Sequence, residues 1–283
     1  MPLLELNELE QISPLFKGKM GNTLAKGLMK FLSVEELNEL YDRYSYLKGP
    51  GFAEAVLNDI GLKYSICYTD RNILSLQDIL PSGPFITISN HPCGHVDGVT
   101  LVDAFGKVRP DYKVMVNKIL GRVAALSDNF IQVVPTGAER KAASRESVMG
   151  IKAALRHLRE GGALGLFPSG AVSDLHLSEC DISDREWQEP VIRLIAKAQV
   201  PIVPVHFCDG NSLLYYSLGV IDWRIRLLRL PAEVFNKKGK PFRICVGPVV
   251  TVSQQRELIT DINRFRAFLR SAVYSTVYSD FAP

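Results

Sequence analysis

Ile86-Thr-Ile-Ser-Asn90-His91-Pro92-Cys93-Gly94-His95-Val96-Asp97-Gly98 is the stretch from which the rest of the chain is read. It opens as a β-branched apolar run, which suits a buried strand, and then breaks at Pro92, Gly94 and an Asp-Gly pair. An apolar strand that stops short in polar side chains is how an open α/β sheet presents a site at its carboxyl edge. Pro92 lacks the donor a strand needs and biases His91 toward extended backbone. Gly94 permits the turn that must follow.

His91 has the side chain whose ordinary pKa lies near neutrality, which suits a general base. Asp97 stands six positions later. Fully extended, that separation is about 20 Å, so the segment must fold back before carboxylate and imidazole can meet. Asp97 would then hold the ring in one tautomer and stabilise its charged form during turnover. Two other readings of the same residues stay open. One is a loop histidine beside a helix-capping Asp. The other is a metal site from the alternating His91, Cys93 and His95 with Asp97 as a fourth ligand. Against the metal, Pro92 and Gly94 interrupt the regular strand that alternation requires, and no Cys-x-x-Cys pair is present.

Asn90-His91-Pro92-x-Gly94-x-x-Asp97-Gly98 resembles the first block of the glycerolipid and lysophospholipid acyltransferase superfamily. Three further stretches follow in that family's order. Lys113-Val-Met-Val-Asn-Lys118 through Phe130-Ile-Gln-Val-Val-Pro135 resembles the second block, Phe167-Pro168-Ser169-Gly170-Ala-Val-Ser173 the third, and Val200-Pro201-Ile-Val-Pro204-Val205 the fourth. The likeness runs from about Leu80 to Val250. The nearest branch is the bacterial, formerly hemolysin-labelled one that O-acylates lyso-ornithine or lyso-glycine lipids. Two departures from the superfamily pattern bear on the substrate. Five residues rather than four separate His91 from Asp97, a spacing the aminolipid branch tolerates. Ser169 stands where the third block usually has the Glu linked to glycerol-phosphate recognition.

The resemblance implies transfer of a fatty acyl chain from an acyl thioester, acyl-carrier protein or acyl-CoA, to the hydroxyl of a lyso-lipid. The acceptor class it favours is a lyso-aminolipid. A lysophosphatidate or glycerol-phosphate acceptor, or a thioesterase or lipid hydrolase using the same cleft with water, are the alternatives. It casts His91 and Asp97 as catalytic. Asn90, Gly94, Gly98, Lys118, Phe167, Pro168, Ser169 and Gly170 are cast as substrate-binding. It implies no cofactor beyond the thioester co-substrate and no metal. It also implies peripheral attachment to the cytoplasmic side of the bacterial inner membrane. A serine hydrolase nucleophile at Ser169 is not expected, because Phe167 and Ala171 fill the glycine positions of the Gly-x-Ser-x-Gly elbow.

Composition sets outer bounds. The chain has 283 residues, enough for one large α/β domain or a domain with a helical annex. A net charge of +3 gives no footprint for nucleic acid. The five cysteines are scattered and odd in number, so no disulfide framework is expected and a reducing compartment is the default. The acidic start lacks a basic leader pattern, and no apolar run reaches about 20 residues, so neither a secretory signal nor a membrane span is predicted.

Along the chain, residues 1–62 read as an N-terminal helical layer and 63–283 as the α/β acyltransferase domain. The sheet should be mixed and largely parallel, flanked by helices. Within the first layer, 23–32 is a cationic, apolar helix suited to acidic lipid. Ser33-x-x-Glu36 is a capping box for the next helix, Gly49-Pro50-Gly51 is a break, and 52–60 is a short helix. Strands are expected at 63–68, 85–89, 112–116, 130–134, 163–167, 200–207 and 242–246. Helices are expected at 76–80, 98–105 and 119–126, after Arg140-Lys141, at 190–199 and at about 253–278. The helix after Arg140-Lys141 should turn Val148, Ile151, Leu155 and Leu158 to the core. The Pro201 and Pro204 pair argues against a fully paired central strand. Residues 174–189 read as an exposed loop. Tyr215-Tyr216, Trp223 and Arg224 to Arg229 make the best membrane-facing candidate, with an element covering the sheet as its rival.

Overall fold

A computed structural model describes residues 32–117, 120–133 and 145–276. Nine strands are present among them: β1 (Tyr64–Tyr68), β2 (Phe85–Ser89), β3 (Lys113–Asn117), β4 (Phe130–Val133), β5 (Ala163–Leu166), β6 (Asp174–His176), β7 (Asp181–Ser183), β8 (Ile202–Phe207) and β9 (Phe242–Val246). Seven of them make one sheet in the order β1-β9-β8-β2-β5-β3-β4, and β6 and β7 form a separate hairpin. From β8 through β4 all neighbours are parallel; β9 runs antiparallel to β8, and β1 parallel to β9. The sheet is therefore mixed and largely parallel, and the chain is an α/β protein.

The alternation of β2 explains its place in the middle. Phe85 faces one core with Val114, Val203 and Ile244, while Ile86 and Ile88 face a second with Leu164, Leu166 and Ile202. All five residues of β2 are buried, as a strand covered on both faces must be. The first core is closed by α1 (Val34–Arg43), α2 (Gly49–Asp59) and, after the single turn α3 (Leu76–Ile79), by α4 (His95–Gly106). The second is closed by α5 (Arg145–Arg159), α6 (Glu189–Ala198) and, later in the chain, α10 (Ile262–Tyr274). Between α6 and α10 lie α7 (Leu213–Ile221), α8 (Trp223–Phe235) and the short α9 (Val252–Arg256). The N-terminal helices thus share one core with the sheet.

Several local expectations are corrected. Strand β8 is central, between β9 and β2. Pro201 precedes its first paired residue, and Pro204 turns its main chain toward Gly247, just past the end of β9, so neither breaks a ladder bond. The capping box at Ser33 does not form: Ser33 is left-handed, with φ 55°, and its side chain makes no cap bond. Gly49-Pro50-Gly51 is the first turn of α2, where proline's missing donor has no cost. The helix expected at 119–126 is, in its described part, two 3-10 segments, Leu120–Arg122 and Ala124–Asn129. Val148 is exposed, whereas Ala154, Leu155 and Leu158 carry the buried stripe of α5. The long C-terminal helix is two helices, α10 being capped by Asp261, which accepts from the N–H groups of Asn263 and Arg264.

Residues 174–189 are more than an exposed loop. They hold the β6–β7 hairpin, and Asp184 and Trp187 within them are buried. Tyr215, Tyr216 and Arg226 point inward rather than to a membrane. The scattered cysteines are also misleading, since β1 and β9 set Cys67 opposite Cys245 and the two are joined as a disulfide. The sulfur of Cys208 lies 3.5 Å from that of Cys245. A separation of 178 residues hides the pair from any reading of spacing. The helix expected at 23–32, apart from Leu32, lies outside the described residues, as do Arg140, Lys141 and Lys118.

Candidate active site

Strands β2 and β5 are parallel neighbours, so the loops that leave their carboxyl ends emerge side by side. The β2 loop is fixed first by Asn90, whose amide donates to the Phe207 carbonyl (2.9 Å) and accepts the Phe207 N–H (2.7 Å). Gly94, at φ 73°, then caps α4. A Cβ there would stand 2.9 Å from Leu230 and 3.3 Å from Val172, so this turn needs glycine on both conformational and steric grounds. Helix α4 starts at His95, three residues earlier than the sequence suggests, and so carries Asp97 in its first turn.

That turn returns Asp97 to the imidazole. His91 Nδ1 lies 3.0 Å from Asp97 Oδ2, which also accepts the Cys93 N–H at 2.9 Å. The Asp97 side chain is fully buried and that of His91 is 15% exposed. A carboxylate can only accept, so Nδ1 carries a ring proton, and Nε2 is the nitrogen turned away from Asp97. One face of the ring is covered by Phe167 of the β5 loop, at 4.0 Å between centroids.

His91 lines a cleft that is partly open to solvent. Gly94, Gly98, Phe167, Gly170 and Gln188 border it near the imidazole, and Met115, Val116, Leu120, Val133, Ile151 and Leu166 continue it as an apolar slot.

The remaining candidates divide. Gly94, Gly98, Phe167 and Gly170 border the cleft, but Asn90 is committed at both ends to Phe207. Ser169 is buried and donates to the Ala171 carbonyl, and Pro168 is buried with its carbonyl taken by the Gln188 N–H. These three shape the loops without touching the cleft. The Gly170 N–H is likewise used within its own turn, on Phe167. Lys118 lies outside the described residues. The alternating His91, Cys93 and His95 do not converge: the Cys93 thiol turns to the Asp209 carbonyl at 3.4 Å, while His91 Nδ1 faces Asp97. Among the described residues no group of three or more His, Cys, Asp or Glu is placed to hold a metal. Burial is the main cause that holds His95 down to about 4.

Three residues around His91 escape the sequence reading of the site. Ser173 ends the third block and donates its N–H to the His91 carbonyl at 2.9 Å. Arg226 of α8 donates to the carbonyls of Val172 and Ser173, each at 3.0 Å, and pairs with Asp174 at 2.6 Å. Asp184 accepts the His91 N–H at 3.1 Å. Ser173 lies inside a recognisable block. Asp184 sits in a polar stretch with no local signal.

A family model described as Acyltransferase matches residues 11–277. The chain therefore belongs to the acyltransferase family, enzymes that transfer acyl groups. Among curated proteins it is similar to the lyso-glycine lipid O-acyltransferase of Bacteroides thetaiotaomicron, 25% identical over 251 residues and covering 83% of this chain and 86% of that protein. The protein of the same name from Phocaeicola vulgatus is 25% identical over 253 residues, covering 86% and 85%. Among solved structures, the 1-acyl-sn-glycerophosphate acyltransferase PlsC of Thermotoga maritima matches with a TM-score of 0.43 and 13% identity, over 92% of this chain and 98% of that one.

Proposed function

We propose that this acyltransferase moves a fatty acyl chain from an acyl thioester, acyl-carrier protein or acyl-CoA, to the hydroxyl of a lyso-lipid of the aminolipid class. The observation that carries the mechanism is the 3.0 Å contact between His91 and Asp97 at the head of an apolar cleft. With Nδ1–H held by Asp97, Nε2 takes the acceptor's hydroxyl proton as its oxygen attacks the thioester carbonyl. The new C–O bond forms, the C–S bond breaks, and the proton passes from His91 to the leaving thiolate. The acceptor is itself the nucleophile, so no acyl-enzyme is required. Charge on the tetrahedral oxygen is met by N–H groups in the first turn of α4, beside Gly94.

Two features support the aminolipid acceptor: the similarity to two proteins named lyso-glycine lipid O-acyltransferase, and Ser169 in place of a glutamate. The enzyme works as a peripheral protein on the cytoplasmic face of the inner membrane. No helix among the described residues is long and apolar enough to cross a membrane. The face that meets lipid is the outer side of α7 and α8, where Leu213, Leu214, Ile221, Trp223, Ile225 and Leu227 are exposed.

The test uses purified wild type and His91→Ala with acyl-carrier protein and acyl-CoA donors, against lyso-glycine lipid, lyso-ornithine lipid and lysophosphatidate. The expected product is a diacylated aminolipid, lost by at least ~10²-fold in the variant. Near-native turnover by folded His91→Ala overturns the mechanism. Free fatty acid released at full rate without acceptor makes the enzyme a thioesterase, and preference for lysophosphatidate overturns the acceptor.

A further inference from the structure

A second buried carboxylate reaches His91, through its main chain rather than its ring. Asp184 Oδ1 accepts the His91 N–H at 3.1 Å and the Ser173 hydroxyl at 2.7 Å, and Oδ2 accepts the Trp187 indole N–H at 3.0 Å. Ser173 closes the figure by donating its own N–H to the His91 carbonyl. Both backbone groups of His91 are thus held, in a loop outside any strand or helix, by two residues that also hold each other. Asp184 is anchored in turn. Its N–H donates to the Tyr274 hydroxyl at 2.7 Å, and its carbonyl accepts from Arg270 at 3.0 Å, with Arg270 lying over the Tyr274 ring. The last helix, α10, is in this way braced against the base of the imidazole.

We propose that Asp184 is a positioning residue for acyl transfer: acting through the His91 main chain, it sets where the imidazole stands between Asp97, Phe167 and the cleft. Three donors converge on this side chain and each needs an acceptor. Burial lifts its pKa from the ordinary carboxylate value, against the pull of those donors. Its removal leaves the His91 N–H and the Trp187 N–H without partners in a closed interior. The consequence for chemistry is geometric. A base displaced by about 1 Å from the attacking hydroxyl can cost on the order of 10²-fold in rate. This inference rests on His91 being the base, and the experiment separates the two.

Asp184→Asn keeps an oxygen for His91 and Ser173 but turns an amide N–H against the Trp187 indole N–H. Adding Trp187→Phe removes the opposing donor. The expected result for Asp184→Asn is a kcat lower by about 30-fold, with KM for donor and acceptor within about twofold. Asp184→Asn with Trp187→Phe should return to within about threefold of Trp187→Phe alone. In an Asp97→Asn background, where the ring has already lost its own anchor, Asp184→Asn should cost no more than about threefold, because the two act on one group. Native kcat in Asp184→Asn, a loss confined to KM, no rescue by Trp187→Phe, or an undiminished loss in the Asp97→Asn background each overturns the proposal. If His91→Ala is inactive while Asp184→Asn is fully active, this inference alone fails.

Discussion

The rings of His91 and Phe167 lie nearly face to face, 4.0 Å between centroids and 30° between planes. They come from different strands, one from the loop after β2 and the other from the loop after β5, and meet because those strands are parallel neighbours. Asp97 fixes one edge of the imidazole and Phe167 one face. An aromatic pair of this kind adds about 0.5–1.5 kcal/mol beyond the area it buries. Phe167→Ala should therefore lower kcat by about tenfold while the protein stays folded, and Phe167→Tyr, which keeps the ring, should lose less than threefold. Steady-state kinetics on the three proteins decides it. Equal rates for the alanine variant and wild type would mean that Asp97 alone orients the ring.

The outer face of α7 and α8 gives a prediction about where the enzyme works. Leu213 and Ile221 are 72% and 75% exposed, and Trp223 is 48% exposed. Inward, the same hairpin grips the site, with Arg226 on the Val172 and Ser173 carbonyls and Leu230 against Gly94. Replacing Leu213 and Ile221 with Glu should weaken binding to anionic vesicles by tenfold or more, since each buried side chain is worth about 1.5–3 kcal/mol. Turnover of a short-chain, water-soluble donor and acceptor should be unchanged. Co-sedimentation with vesicles measures the first and a solution assay the second. Undiminished sedimentation of the double variant would place the lipid-binding face elsewhere.

Two histidines make the fold sensitive to acid. Burial holds both His95 and His206 down to about 4, against about 6.5 for an unfolded chain. Both are neutral in the folded protein, and as pH falls through 6.5 the unfolded chain takes up protons first. Their destabilising effect is absent above about pH 7 and grows until pH reaches about 4, at roughly 2–3 kcal/mol per histidine. His206→Phe removes one of these without touching the His91 pair. Urea unfolding at pH 7 and at pH 4.5 should show a smaller stability loss for the variant than for the wild type. Equal losses would mean that His206 is protonated in the folded state.

How far the sequence could be read depended on whether a signal was local. Strands Phe85–Ser89 and Phe242–Val246 are legible to the residue, because apolar alternation between turn residues is a property of the segment itself. The contact between His91 and Asp97 was one of three readings of its loop, allowed but not dictated by the turn that Pro92 and Gly94 permit. The central place of β8 was not. Pro204 reads as a strand breaker until its neighbour β9 is seen to end beside it. Asp184 illustrates the same limit at the site. Flanked by Asp181, Arg185 and Glu186, it reads as one more surface charge, and only the arrival of His91, Ser173 and Trp187 from elsewhere makes it a buried acceptor. Tyr215 and Arg226 fail in the opposite sense. A run of aromatics and arginines reads as a membrane face, while the residues between them, Ile221, Trp223 and Ile225, are the ones left outside.

The far end of the cleft should set the length of chain accepted. Ile151 of α5, Met115 of β3 and Val133 of β4 line its apolar part, and β3 and β4 lie beyond β5 from the strand that leads into His91. A methylene buried there is worth about 0.8 kcal/mol, close to fourfold in kcat/KM. Ile151→Phe adds bulk to the slot without adding a polar group, so the longest donors should lose most. The expected pattern is a fall in kcat/KM that steepens with chain length, while donors several carbons shorter react as with the wild type. Competition assays with a series of acyl thioesters, read by mass spectrometry of the products, give the whole profile at once. A uniform drop across all lengths would instead mean that the added ring disturbs α5 as a whole, and an unchanged profile would mean that the acyl chain leaves the site by another path.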